Sequence, residues 1–186
     1  MKTDMHLPPS LKKYKRKMAV ILPKDAGAII AYADINKESI VVEIGGGTGF
    51  LTHYLAGIAK KVTTYEVRED AFKILSKNTS HYSNLTLKNE DGKFFSEREV
   101  DAVVVDVPNS HEFVERSHSA LVKGGSFVAY IPSTEQLKDT YIAADSLFRE
   151  IFSISLPYYD VIVRKKGTRP ANFSLMHTAY LLFARK

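Results

Sequence analysis

From Val20 onward the apolar positions fall into short runs whose period alternates between strand-like and helix-like. Residues 40–44 read as a buried strand, 51–59 as a helix, 61–67 as a strand and 69–77 as a helix. A short strand at 85–88 follows. The run Ala102-Val103-Val104-Val105 marks 100–105 as a strand covered on both faces. Residues 111–121 are predicted helical, Lys123-Gly124-Gly125 a turn, 126–131 a strand and 135–148 a helix. Ahead of all these, Pro23-Lys24-Asp25 opens an alanine-rich helix to about residue 35, with Asp25 near its N-terminus, where negative charge is favoured. The ending differs. Runs 151–163 and 174–184 are β-rich, with no helix-length pattern between them, only Arg164-Lys165-Lys166-Gly167-Thr168-Arg169-Pro170. Strands alternating with helices predict a mostly parallel α/β sheet of seven strands, and two closing strands without a crossover helix predict an antiparallel hairpin at one edge.

Composition narrows the class without naming a function. A chain of 186 residues, 45% hydrophobic and 25% charged, is expected to be one globular domain with its own core. The absence of cysteine excludes disulfides and thiolate metal sites, and no metal site is expected; a reducing, cytoplasmic setting is the default. No signal-peptide pattern is visible, and no apolar run approaches the roughly 20 residues that span a bilayer. The net charge of +5 mildly favours a polyanionic partner. That excess is concentrated in residues 1–19, which stand apart as a basic arm from the domain at 20–186. There Lys12, Lys13, Lys15, Arg16 and Lys17 surround Tyr14. Two readings stay open for the arm: a solvated, frayed segment, or a nucleic-acid contact with Tyr14 stacking on a base or sugar.

The densest chemistry lies at Val41-Val42-Glu43-Ile44-Gly45-Gly46-Gly47-Thr48-Gly49. The glycines end the first strand in a loop that can turn sharply and let a ligand lie against the backbone. A carboxylate just before that loop adds little to a phosphate site and much to a site for a cationic or amino-bearing ligand. In a doubly wound sheet, ligands sit outside the carboxyl ends of the strands. Glu66 ends the second strand 21 residues after Gly45, where an acidic residue accepts ribose hydroxyls, with Val67 beside it. Asp91-Gly92 follows the third strand, with Asp91 placed to reach an adenine amino group, and Asp106 ends the fourth. Any one of these acids alone is better explained as a helix cap or half an ion pair. Together they suit S-adenosylmethionine, whose sulfonium and ammonium groups are cationic. A dinucleotide fits less well, because glycines at 45, 46, 47 and 49 followed by Phe50 miss the G-x-G-x-x-G spacing.

With those residues in view, the chain resembles the class I S-adenosylmethionine-dependent methyltransferases, which have a Rossmann-like sheet. More narrowly, it is similar to the tRNA (adenine-N1) methyltransferases that modify position 58 of the T-loop. Ile21-Leu22-Pro23-Lys24-Asp25, Tyr65-Glu66-Val67-Arg68-Glu69-Asp70, and Thr168-Arg169-Pro170 with His177-Thr178-Ala179-Tyr180-Leu181-Leu182-Phe183-Ala184-Arg185-Lys186 carry the narrower likeness. The resemblance implies Asp106 as the catalytic residue, a flipped-out adenine as the acceptor, a tRNA partner and a homo-oligomer, dimer or tetramer. Lys12, Lys13, Lys15, Arg16, Lys17, Lys165, Lys166 and Arg169 are the candidate RNA contacts; Arg169 is equally readable as a residue that pairs to fix its loop. His177 reads as a packing residue.

Two departures matter. The family's N-terminal β-rich domain is reduced to the basic arm. Its D-x-P-D-P-W is Asp106-Val107-Pro108-Asn109-Ser110-His111 here, without the second acid, the second proline or the aromatic; Phe113 is a candidate replacement wall. The leading expectation is therefore a tRNA adenine-N1 methyltransferase. The alternatives are a small-molecule methyltransferase, for example on a corrinoid precursor, and a non-catalytic RNA-binding paralogue.

Overall fold

A computed structural model describes residues 6–172 and 174–186. Its main sheet holds β1 (Ile40–Ile44), β2 (Lys61–Tyr65), β3 (Leu85–Lys88), β4 (Val100–Val105), β5 (Leu121–Ile131), β6 (Glu150–Ser155) and β9 (Tyr180–Arg185), in the order β3-β2-β1-β4-β5-β9-β6. β1 to β5 are parallel, and β9 runs antiparallel to both of its neighbours. This is the expected seven-stranded, mostly parallel α/β sheet with an antiparallel pair at its end. The strand that returns last lies inside the sheet, and β6 forms the edge. Sequence explains the exchange. Tyr-Leu-Leu-Phe-Ala-Arg is continuously apolar and buried through its centre, as an interior strand requires, whereas Glu-Ile-Phe-Ser-Ile-Ser alternates and leaves residues exposed. The 151–163 run divides, so that its second half forms β7 (Val161–Arg164), which pairs with β8 (Gly167–Pro170) in a separate hairpin.

Helices cover both faces. α2 (Pro23–Tyr32) and α3 (Phe50–Ile58) seal one face, where Ile29, Leu51 and Leu55 meet Val41, Val62, Val104, Val128 and Leu181. On the other, α5 (Val114–Ala120) and α6 (Thr134–Asp145) cover Val42, Ile44, Val103, Val105, Phe127 and Leu182. Alternate strand residues go to opposite faces, as the pleat demands. The predicted 123–125 turn is absorbed into β5. Leu121 pairs with Val100 and Ser126 with Ala102, so residues 122–125 form a bulge, with Gly124 at φ +82°. The helix expected from 111 starts as a 3₁₀ turn, Ser110–Phe113, before α5.

α4 (Glu69–Asn78) carries Glu69 and Asp70 in its first turn and Lys77 in its last, the arrangement the helix dipole favours. Its Leu75 is fully buried beneath the loop that follows β1. The basic arm is docked here rather than frayed. After α1 (Pro9–Lys12), whose Leu11 is buried, Tyr14 packs edge-on against Phe50 at 5.8 Å. Asn78 then clamps Lys15, accepting from its amide at 3.0 Å and donating to its carbonyl at 2.9 Å.

Candidate active site

The carboxyl ends of β1, β2 and β4 are tied side by side. The amide of Asp106 donates to the carbonyl of Ile44 at 2.8 Å, and the amides of Gly45 and Gly46 both reach the carbonyl of Tyr65. The loop after β1 is therefore pressed between its neighbours. A Cβ at Gly45 would lie 2.2 Å from the Asp106 carbonyl oxygen, and one at Gly46 2.4 Å from the Thr64 methyl. Gly45 also has φ +88°, a conformation that favours glycine. Gly49 and Gly92 are held by similar crowding, against Thr79 and Ile44 respectively. Gly47 alone among these faces outward, with only the Met18 sulfur within 4 Å of a hypothetical Cβ.

Three of the four sequence-predicted acids converge on this loop. Glu43 lies beneath it, 1% exposed, and accepts from Thr52 Oγ1 at 2.6 Å and Thr64 Oγ1 at 2.7 Å. Burial pushes its carboxyl up to about 7 against the pull of those two hydroxyls, and the nearby Glu66 charge adds to the rise. Glu43 thus braces the loop from behind. Glu66, also buried, accepts from the Gly47 amide at 2.7 Å through one oxygen and from the Arg68 amide and Nε through the other. Asp106 is partly exposed, and its carboxylate accepts no hydrogen bond among the described residues. Burial, then the charges of Glu43 and Glu66, push it up to about 7, with Arg68 pulling the other way.

Asp91 stands apart from this trio. It is exposed and caps the 3₁₀ turn Gly92–Phe94, accepting from the Lys93 amide at 2.8 Å. Beside it Val67 is 65% exposed, an apolar surface at the end of β2 on which a flat base can rest. Asn89 reinforces that corner by donating to the Glu66 carbonyl at 2.7 Å.

A second cluster on the other side of Asp106 was not read from the sequence. Asp25, 1% exposed, receives Lys24 Nζ at 2.7 Å and Thr178 Oγ1 at 2.9 Å, while Lys24 also reaches Thr178 at 2.8 Å. The Tyr130 phenol joins Thr178; burial first, then the charges of Asp25 and Asp106, holds its pKa above the usual range. Both contributing segments, 23–25 and 177–178, stood out as motifs. That they meet is a fact of topology, because the segment leading into β9, which lies beside β5, brings Thr178 back to this end of the sheet. Arg68 and Met18 were also missed. Arg68 covers Glu66 and places a terminal nitrogen 3.1 Å from the Met18 sulfur.

The cationic candidates form two groups. Lys12, Lys13, Lys15, Arg16 and Lys17 lie on the docked arm, where Lys17 pairs with Asp70 and Arg16 donates to the Met18 carbonyl. Lys165, Lys166 and Arg169 are exposed on the β7–β8 hairpin; Arg169 contacts Asn172 and the Pro170 carbonyl rather than a carboxylate. His6 on the arm touches Asp160 at the hairpin's base, 3.1 Å away. Tyr14 points its hydroxyl at His53, 3.1 Å, and packs inward instead of offering a ring to a base. His177 donates through Nε2 to the Pro132 carbonyl, 3.0 Å away, and its ring lies near Tyr180. Asn109 takes φ +60° at the start of the 3₁₀ turn, three residues after Asp106, and is exposed.

These residues fit S-adenosylmethionine. An open glycine backbone at Gly47, a ribose-type acceptor in Glu66, an exposed apolar corner at Val67 and a concentration of carboxylates together match a cationic nucleoside. Known proteins agree. Residues 21–127 match the family described as ribosomal RNA adenine dimethylase. A tRNA (adenine(57)-N(1)/adenine(58)-N(1))-methyltransferase, TrmI, of Methanocaldococcus jannaschii is 32% identical over 94% of this chain and 74% of its own length. The crystal structure of the tRNA (m1A58) methyltransferase TrmI from Aquifex aeolicus superposes with a TM-score of 0.89 at 28% identity, covering 95% of this chain and 74% of that one. A precorrin 8w decarboxylase from Methanobacterium thermoautotrophicum shares the fold, with a TM-score of 0.78 at 17% identity over 94% of this chain and 97% of that one. The protein is an S-adenosylmethionine-dependent methyltransferase, and the chain belongs to the family of the TrmI tRNA (adenine-N1) methyltransferases.

Proposed function

We propose that the protein methylates N1 of an adenine in tRNA, with Asp106 as its catalytic residue. The carrying observation is the Asp106 carboxylate, partly exposed, without a hydrogen-bond partner among the described residues and set between the Gly47–Glu66 corner and the Tyr130–Thr178–Asp25 cluster. When bound, the cofactor supplies an electrophilic methyl group. Glu66, Gly47 and Val67 are the residues to hold its nucleoside end, with Asp91 at the adenine side. Methylation at N1 leaves the base cationic, so a carboxylate near the exocyclic amino group can accept its hydrogen bond or proton and offset the charge. A buried adenine must first leave its stack, at a cost of a few kcal/mol, and cationic surfaces flanking the cleft help hold the RNA meanwhile. Lys13, Lys15, Lys165 and Lys166 are placed for that.

The test is incubation with labelled S-adenosylmethionine and either unmodified tRNA or a metabolite extract, followed by nucleoside mapping. The expected result is 1-methyladenosine in tRNA, reduced at least a hundredfold in Asp106→Ala while cofactor binding persists, on the order of a general acid–base contribution. Label confined to small molecules would replace this reading with the second one, which the departure at Asn109-Ser110-His111 favours. Cofactor binding without any transfer would indicate the non-catalytic paralogue.

A further inference from the structure

The arm and α4 enclose a pocket of about 380 Å³ that lies outside the cofactor corner. Its rim carries Lys13, Lys15, Lys77 and His81, and its inner wall Tyr14 and His53; no carboxylate lines it. Lys13, Lys15 and Lys77 form no ion pair among the described residues, in contrast to Lys17 and Lys73 nearby, which pair with Asp70 and Glu69. Lys77 complements the carboxyl end of α4, which gives that one cation a structural reason. No such reason applies to Lys13 and Lys15.

The pocket is also held in shape. Asn78 fixes the Lys15 backbone with two hydrogen bonds, Leu11 anchors the arm in the core, and the Tyr14 and Tyr82 hydroxyls converge on His53 Nδ1 at 3.1 and 2.6 Å. Three like charges gathered at one rim repel each other until an anion joins them. Backbone already ordered means that little entropy is sacrificed when it does. We propose that this pocket is a phosphate-binding site. On the proposed function, the phosphate is a backbone phosphodiester of the RNA, held beside the cofactor loop; a free phosphate is the other source of the same chemistry.

The experiment compares the intact protein with Lys13→Gln/Lys15→Gln/Lys77→Gln, after confirming equal melting temperatures. Binding of unmodified tRNA is measured across a salt series, and binding of inorganic phosphate by calorimetry. If RNA is the source, the slope of log affinity against log salt shrinks by about 0.7 to 0.9 in the variant, the change for the one phosphate that the pocket no longer neutralises. If free phosphate is the source, saturable phosphate binding disappears in the variant while the tRNA slope holds. An unchanged slope together with unchanged or absent phosphate binding overturns the proposal. Nucleoside mapping is a separate readout. A protein that leaves tRNA unmethylated yet loses phosphate binding in the variant refutes the proposed function and keeps this site.

Discussion

Glu43 and Asp106 hold their protons to about pH 7, well above the ordinary carboxylate range, and this gives two residue-level predictions. Because the folded protein binds these protons more tightly than the unfolded chain, stability falls as pH rises from about 4.5 to about 7 and levels off beyond. Glu43→Gln removes one such proton and keeps an oxygen for Thr52 and Thr64. It should therefore raise stability at pH 8 by about 1 to 3 kcal/mol relative to the parent, with little gain at about pH 5; denaturant titrations at the two pH values measure this, and equal effects would refute it. For the reaction, a carboxylate that must be ionised gives a rate that climbs with pH through about 7. Arg68 lowers the Asp106 value, so Arg68→Gln should move that climb to higher pH in kcat/KM; a profile that stays put would remove Arg68 from this role. The carboxylates themselves were legible because each falls at a strand end. Arg68 was not, since the same arginine in a Y-E-x-R-E-D segment reads equally as a solvated first-turn residue. Thr178 and Asp25 were not either, because 153 residues separate partners joined by one hydrogen bond.

Among elements, the arm and α4 behave as one unit with the glycine loop. Asn78 uses its carbonyl oxygen on the Lys15 amide and its amide nitrogen on the carbonyls of Lys15 and Thr48, so one side chain connects three segments. Asn78→Ala leaves these groups without their partner and should cost about 1 to 3 kcal/mol. It should also speed proteolysis of the arm and weaken cofactor affinity; an arm equally protected in the variant would refute the coupling. Most helices and parallel strands were readable within a residue or two, because their apolar periods differ cleanly; β5 starts five residues before the strand expected at 126, and α6 ends three before the helix expected to reach 148. The arm was not. Its lysines carry the composition of a frayed tail, and the contacts that tie it down, through Leu11, Tyr14 and the Asn78 clamp on Lys15, do not show in that composition.

At the scale of the whole molecule, the sequence indicated a parallel sheet closed by two antiparallel strands, but it did not say which of them lies inside. An expected edge hairpin leaves that open, and the structure puts the unbroken apolar run of 180–184 inside and the alternating run of 150–155 at the edge. Among the described residues no helix is long and apolar enough to cross a membrane. Both cationic groups, arm and hairpin, flank the same end of the sheet and touch through His6 and Asp160.

The interior place of β9 means that β5 and β6 cannot close the sheet until a strand made after both of them arrives. Six registered pairs then grip it on each side, while its connection to the preceding chain passes through the exposed, lysine-rich hairpin. Trypsin acting at Lys165 or Lys166 should thus give a protein in two pieces that migrates as one. If the shorter piece dissociates without denaturant, β9 is held by its tether and not by the sheet. If it stays, the molecule is divisible there, and the piece carrying β9 can be supplied as a separate peptide that restores a sheet lacking its own.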